Sequence, residues 1–153
     1  MLGQTGLAVS CVGIGALPIG PGQLNLPLEE GSAVICDALR RGISFIDTAQ
    51  YYRTYPYIRH ALEVMGFVTE ENICGAATLS SGKNPHDADL PVISSKSLAS
   101  SYDDMMAAIE ECRDALGLKT IDIFLMHEVR SGQFAARASA WQALQDAKRA
   151  GLV

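Results

Sequence analysis

The 153-residue chain has no Cys-x-x-Cys pair. Its four cysteines, Cys11, Cys36, Cys74 and Cys112, lie far apart, and none has a histidine at metal-ligand spacing. That spacing excludes a zinc ribbon or finger. The cysteines read instead as buried thiols of a cytoplasmic protein. There is no Lys/Arg block either. Twelve basic residues are scattered among 17 acidic ones, for a net charge of −5, which argues against a nucleic-acid or anionic-membrane partner. No apolar run reaches the ~18 residues of a membrane helix. The opening Met1-Leu2-Gly3-Gln4-Thr5-Gly6 has neither the basic nor the apolar region of a secretory signal. Aromatics are only 7% of a chain that is 48% hydrophobic. The length suits one domain.

What the chain does contain is an alternation of elements. Leu2 and Leu7-Ala8-Val9 flank a turn with two glycines, which reads as an N-terminal β-hairpin. Cys11–Gly15 reads as a first strand. Leu28–Arg41 reads as a helix with Glu29 and Glu30 in its first turn and Arg40 and Arg41 in its last, matching the helix dipole. Ile43–Ile46 is a second strand, Tyr57–Met65 a helix, and Pro91–Ser95 a third strand ending at Lys96. Tyr102–Leu116 is a helix opened by Ser101 with Asp104 three residues on, and closed by Gly117. Ile121–Met126 is a fourth strand ending at His127, and Ala135–Ala150 a last helix. Strands alternating with helices imply parallel βαβ units. Such strands are expected to be buried on both faces.

Phe67 to Pro91 breaks this rhythm and reads as a loop insertion, with Ile73–Thr78 as a possible short strand inside it. Two apparent motifs are set aside. Gly13-x-Gly15 has Pro18 where a dinucleotide fingerprint needs its third glycine, and Gly82-Lys83 lacks the rest of a phosphate-binding loop.

Four side chains fall at strand ends. Asp47 and Tyr52 follow the second strand, Lys96 ends the third, and His127 follows the fourth. In a βα barrel those ends form one face, and that face carries the chemistry. Taken singly, each has a plain explanation: a turn cap, a half-buried aromatic, a solvated lysine, an edge histidine. Together they make a coherent proton-transfer set. A free phenol holds its proton to a pH near 10. A lysine ammonium about 4 Å away would stabilise the phenolate by about 4 kcal/mol at an effective dielectric of 20, which would make the tyrosine a usable general acid. Asp47 would hold Lys96 in place, and His127 could orient a substrate oxygen by hydrogen bonding.

These residues resemble a family. Arg41 to Tyr52, with its Asp47-Thr48-Ala49-x-x-Tyr52 core, is similar to the signature of the aldo-keto reductases. Val92–Lys96 resembles their lysine strand, Tyr102 to His127 their helix and histidine strand, and Leu2–Leu7 their opening hairpin. The resemblance implies Tyr52 as proton donor, Lys96 and Asp47 as its tuning pair, and His127 as the group orienting the carbonyl. It also implies NADPH as cofactor, with Asp47 among its contacts, and an aldehyde or ketone as the small-molecule substrate.

The family's fold is a (β/α)8 TIM barrel of about 250 residues. The chain is therefore expected to form its N-terminal half, residues 1–153, with about four βα units and the insertion at 67–91. It stops at Val153, where the fifth strand is expected, before most of the family's cofactor loops. Lys83 competes with Lys96 for the lysine role but has no strand before it, and Arg53 stands where a glycine is common. An open half barrel is expected to turn over poorly alone. The alternative reading is a non-catalytic half barrel that self-associates or pairs with a separate C-terminal half.

Overall fold

Four β-branched or aromatic cores, around Ile14, Ile46, Ile93 and Phe124, seed four strands that pair side by side in chain order. The computed structural model describes residues 1–68 and 90–153. The strands are β1 (Ile14–Gly15), β2 (Phe45–Asp47), β3 (Val92–Ser97) and β4 (Ile123–Met126), all parallel. Among the described residues four α-helices alternate with them: α1 (Leu28–Arg40), α2 (Tyr55–Val64), α3 (Tyr102–Leu116) and α4 (Ala138–Arg149). The order is that of the βαβ reading. The possible strand Ile73–Thr78, the competing Lys83 and the Gly82-Lys83 motif lie outside the described residues.

Register assigns the faces of the sheet. Ile14 aligns with Ile46, and Ile46 with Ile93. Asp47 aligns with Ser94, Ser94 with Ile123, and Lys96 with Leu125. Side chains alternate along a strand, so Ile14, Ile46, Ile93, Ser95 and Phe124 share one face, and Phe45, Asp47, Lys96, Ile123 and Leu125 the other. The first face packs on the helices. Ile46 and Ile93 are fully buried there with Ile35 of α1, Ile58 and Leu62 of α2, and Ile109 and Leu116 of α3. Each such side chain contributes about 1.5–3 kcal/mol by leaving water. The second face is only partly covered: Phe45 and Ile123 are half-buried and Leu125 is exposed. Burial on both faces, expected for parallel strands, therefore holds for β3 near its start and not for β4.

Local chemistry sets the element ends. Ser101 Oγ accepts the Asp104 N–H at 3.2 Å, capping α3, and Gly117 closes it at a φ of +66° that favours glycine. Helix α2 starts two residues before the expected Tyr57, because Pro56 fits the first turn, where its missing N–H is not needed. In place of one helix from Ala135, a 3-10 turn (Ala135–Arg137) precedes α4. Gly31 of α1 lies against the Tyr57 ring of α2, where an added Cβ would collide. At the N-terminus the expected turn closes, with the Leu2 N–H donating to the Leu7 carbonyl at 2.8 Å. Regular strand pairing does not extend from it.

Candidate active site

The C-terminal strand ends bring the four sequence-derived candidates together. Asp47 is the last residue of β2, Lys96 lies next to last in β3, and His127 follows β4. Tyr52 ends a 3-10 turn (Gln50–Tyr52) just after β2. The Lys96 ammonium donates to both Asp47 carboxylate oxygens, at 2.9 and 2.8 Å, and to the Thr48 carbonyl at 2.8 Å. Three acceptors match its three donors. Its Nζ lies 5.0 Å from the centre of the Tyr52 ring, within cation–π range. The His127 ring meets the Tyr52 ring edge-on, with centroids 5.5 Å apart. Tyr52 is thus flanked by an ammonium and an imidazole.

Neighbouring tyrosines show how selective this placement is. Tyr51 is exposed, whereas Tyr55 is buried on the helix side, where its hydroxyl lies 2.8 Å from Ser95 Oγ. Burial holds the Tyr55 phenol well above the ordinary tyrosine range.

The turn that carries Tyr52 is braced from several sides. Thr48 and Thr54 share a buried hydroxyl–hydroxyl hydrogen bond of 2.7 Å. Ser97 Oγ donates to the Gln50 side-chain carbonyl at 2.7 Å, and the Gln50 amide donates to Glu111 of α3. Gly20 lies against Thr54 and the Tyr52 carbonyl, at distances a Cβ would violate. Arg53, next to Tyr52, has a left-handed φ of 55°, and Glu128, next to His127, one of 52°. Strained backbone of this kind persists only where its surroundings enforce it.

Burial lowers the His127 imidazole below its ordinary range, and the Lys96 ammonium adds to the effect. The carboxylates of Glu128 and Asp47 oppose it, and Arg137 acts with Lys96. His127 Nδ1 is buried without a hydrogen-bond partner among the described residues. Protonating it would bury an unsatisfied donor, so both observations favour the neutral ring.

Sequence reasoning missed Arg137. It is 8% exposed, and its guanidinium donates to the carbonyls of Ser97, Ala99 and His127. A signal was present: Arg137 precedes by three residues the buried stripe Ala140, Ala143, Leu144 and Ala147, an odd place for a charge. Among the described residues no group of three or more His, Cys, Asp or Glu could hold a metal ion, and no helix is long and apolar enough to cross a membrane.

A parallel βα array with an acid, a phenol, an amine and an imidazole at its C-terminal strand ends is the arrangement that the resemblance to an oxidoreductase family implied. The model of the Aldo/keto reductase family matches residues 11–153, and the chain belongs to that family. A curated relative, L-galactose dehydrogenase of Arabidopsis thaliana, is 45% identical over 51 residues, covering 33% of this chain and 16% of that protein. A solved Pseudomonas aeruginosa protein classed as an aldo-keto reductase is 25% identical, with a TM-score of 0.72 over 99% of this chain and 55% of its own. The Bombyx mori aldo-keto reductase in complex with NADP has the same fold, with a TM-score of 0.67 at 22% identity over 97% of this chain and 46% of its own. The chain therefore spans about half the length of these solved relatives.

Proposed function

We propose that this chain carries the proton-donating part of a site that reduces an aldehyde or ketone to an alcohol with NADPH. The observation that carries this reading is Tyr52 held between the Lys96 ammonium and the His127 ring. Of the residues present, Asp47 fits the ribose part of a dinucleotide. The Asp47 side chain, 41% exposed, can accept from a ribose hydroxyl at the mouth shared with Tyr52 and His127. NADPH, when bound, supplies a hydride.

The chain's own residues do the rest. Neutral His127, with Nδ1 buried, carries its proton on Nε2 and donates it in a hydrogen bond to the carbonyl oxygen, orienting the substrate. Tyr52 gives its hydroxyl proton to that oxygen as the carbonyl carbon gains the hydride. The Lys96 ammonium stabilises the negative charge left on the phenol, and Asp47 keeps Lys96 in place while offsetting part of that effect.

The test is a titration of NADPH into the protein followed by nicotinamide fluorescence, then addition of a panel of aldehydes and ketones. Saturable binding is expected, with slow oxidation that requires a carbonyl and that speeds up when a separate C-terminal half barrel is supplied. No binding up to millimolar concentrations contradicts the reading.

A second reading, self-association, is favoured by an apolar seam along β4 and α4. Leu125 and Trp141 are exposed there beside Ile123, Leu144 and Val153. Sedimentation should show a species larger than one chain, and a compact monomer would rule this out.

A further inference from the structure

Arg137 has a role in the candidate site that its position in the chain does not announce. Every hydrogen bond it makes among the described residues ends on a main-chain carbonyl. Nη1 donates to the His127 carbonyl at 2.8 Å, Nη2 to those of Ser97 at 3.2 Å and Ala99 at 3.0 Å, and Nε to Ala99 at 3.3 Å. A buried cation satisfied only by carbonyls fixes those carbonyls in return, because leaving either side unpaired is costly.

The three carbonyls sit at the exits of β3 and β4. The His127 N–H also donates to the Ser97 carbonyl, at 2.8 Å. His127 is therefore held at both ends of its backbone. Its N–H is tied to Ser97, its C=O is tied to Arg137, and Arg137 is tied to Ser97. The closed triangle sets the peptide between His127 and Glu128, where the chain turns through the left-handed φ of Glu128. It also anchors Ser97, the residue after Lys96.

We propose that Arg137 is a positioning residue that fixes the His127 ring against Tyr52 by clamping the carbonyls at the exits of β3 and β4. Its catalytic consequence rests on the carbonyl-reduction reading, but the clamp is testable without it. Lysine keeps the charge but not the planar fork that reaches several carbonyls at once. The variants Arg137→Lys and Arg137→Met separate the two.

The readout is the proton–nitrogen correlation spectrum of the His127 ring across pH, with thermal unfolding as the control for folding. In Arg137→Lys the ring signals of His127 should move away from wild-type positions while unfolding stays cooperative. In Arg137→Met they should move as well. The His127 titration midpoint should also rise, because one of the cations facing it is gone while Lys96, Asp47 and Glu128 remain. If Arg137→Met does not fold, Arg137→Lys decides alone. His127 signals that superimpose on wild type in every folded variant overturn the proposal. Shifted His127 signals in a protein that reduces no carbonyl even with a separate C-terminal half barrel supplied would overturn the functional reading and leave the clamp standing.

Discussion

Ile46, Ile93, Ser95 and Phe124 point from the sheet towards the helices, and all are more than nine-tenths buried. Phe45, Asp47, Lys96, Ile123 and Leu125 point the other way and stay partly open. The division is not complete, since Val92 and Ser94 on the open face are also buried. The contrast is nonetheless physical. The helix face gains its free energy from apolar burial and tolerates little change in volume. The open face places an ion pair and two aromatic rings where polar ligands can reach them. Stability and the proposed chemistry thus fall on opposite sides of the same four strands, and a one-residue slip in register would exchange them.

The largest effect should come from the helix face. Ile93→Ala is expected to cost about 2–5 kcal/mol, the lost transfer energy plus a cavity. Denaturant unfolding measures it, and a loss below half a kilocalorie would break the contrast.

A smaller, pH-dependent effect is expected where β4 begins. Asp122, exposed overall, accepts the Ile93 N–H at 2.8 Å, and partial desolvation of its carboxyl raises it above the ordinary range against that hydrogen bond. The folded chain then holds this proton to a higher pH than the unfolded chain. The contribution to stability is present below the ordinary carboxylate range, near pH 4, and is lost as pH rises through the folded midpoint. Asp122→Asn, which does not titrate, should gain stability relative to wild type as pH rises from acid to neutral. Paired unfolding curves at the two ends would show it, and a difference independent of pH would contradict it.

The smallest effect should come from the open face. Leu125→Ser, at a site exposed in the single chain, is expected to stay within about 0.5 kcal/mol of wild type where the chain is monomeric. Thermal unfolding checks this, and a larger loss would mean that the face is covered in solution.

The strand–helix alternation was legible because each unit carries its own punctuation: Glu29 and Glu30 opening α1, Ser101 capping α3, Gly117 closing it. Strand limits were less so. β1 forms only at Ile14–Gly15 and β4 begins at Ile123, because ladder formation depends on the neighbouring strand and not on local apolarity. The four candidate side chains could be found from the sequence because each lies at or just beyond a strand exit, and parallel strands bring their exits together. Arg137 could not be assigned a partner in this way. Its contacts are carbonyls, which every residue has, so no side-chain pattern marks them. Gln50 escaped for a similar reason, since its partners Ser97 and Glu111 lie 47 and 61 residues away.

The most direct test compares Tyr52→Phe with wild type, measuring the unfolding free energy of the chain and its NADPH-dependent carbonyl reduction once a separate C-terminal half barrel is supplied and wild type turns over. Removing one hydroxyl from the open face should leave stability within about 0.5 kcal/mol of wild type. It should slow reduction by about 100-fold or more, the usual range for a lost general acid. A variant that is equally stable and equally active would remove Tyr52 from the mechanism and contradict the account.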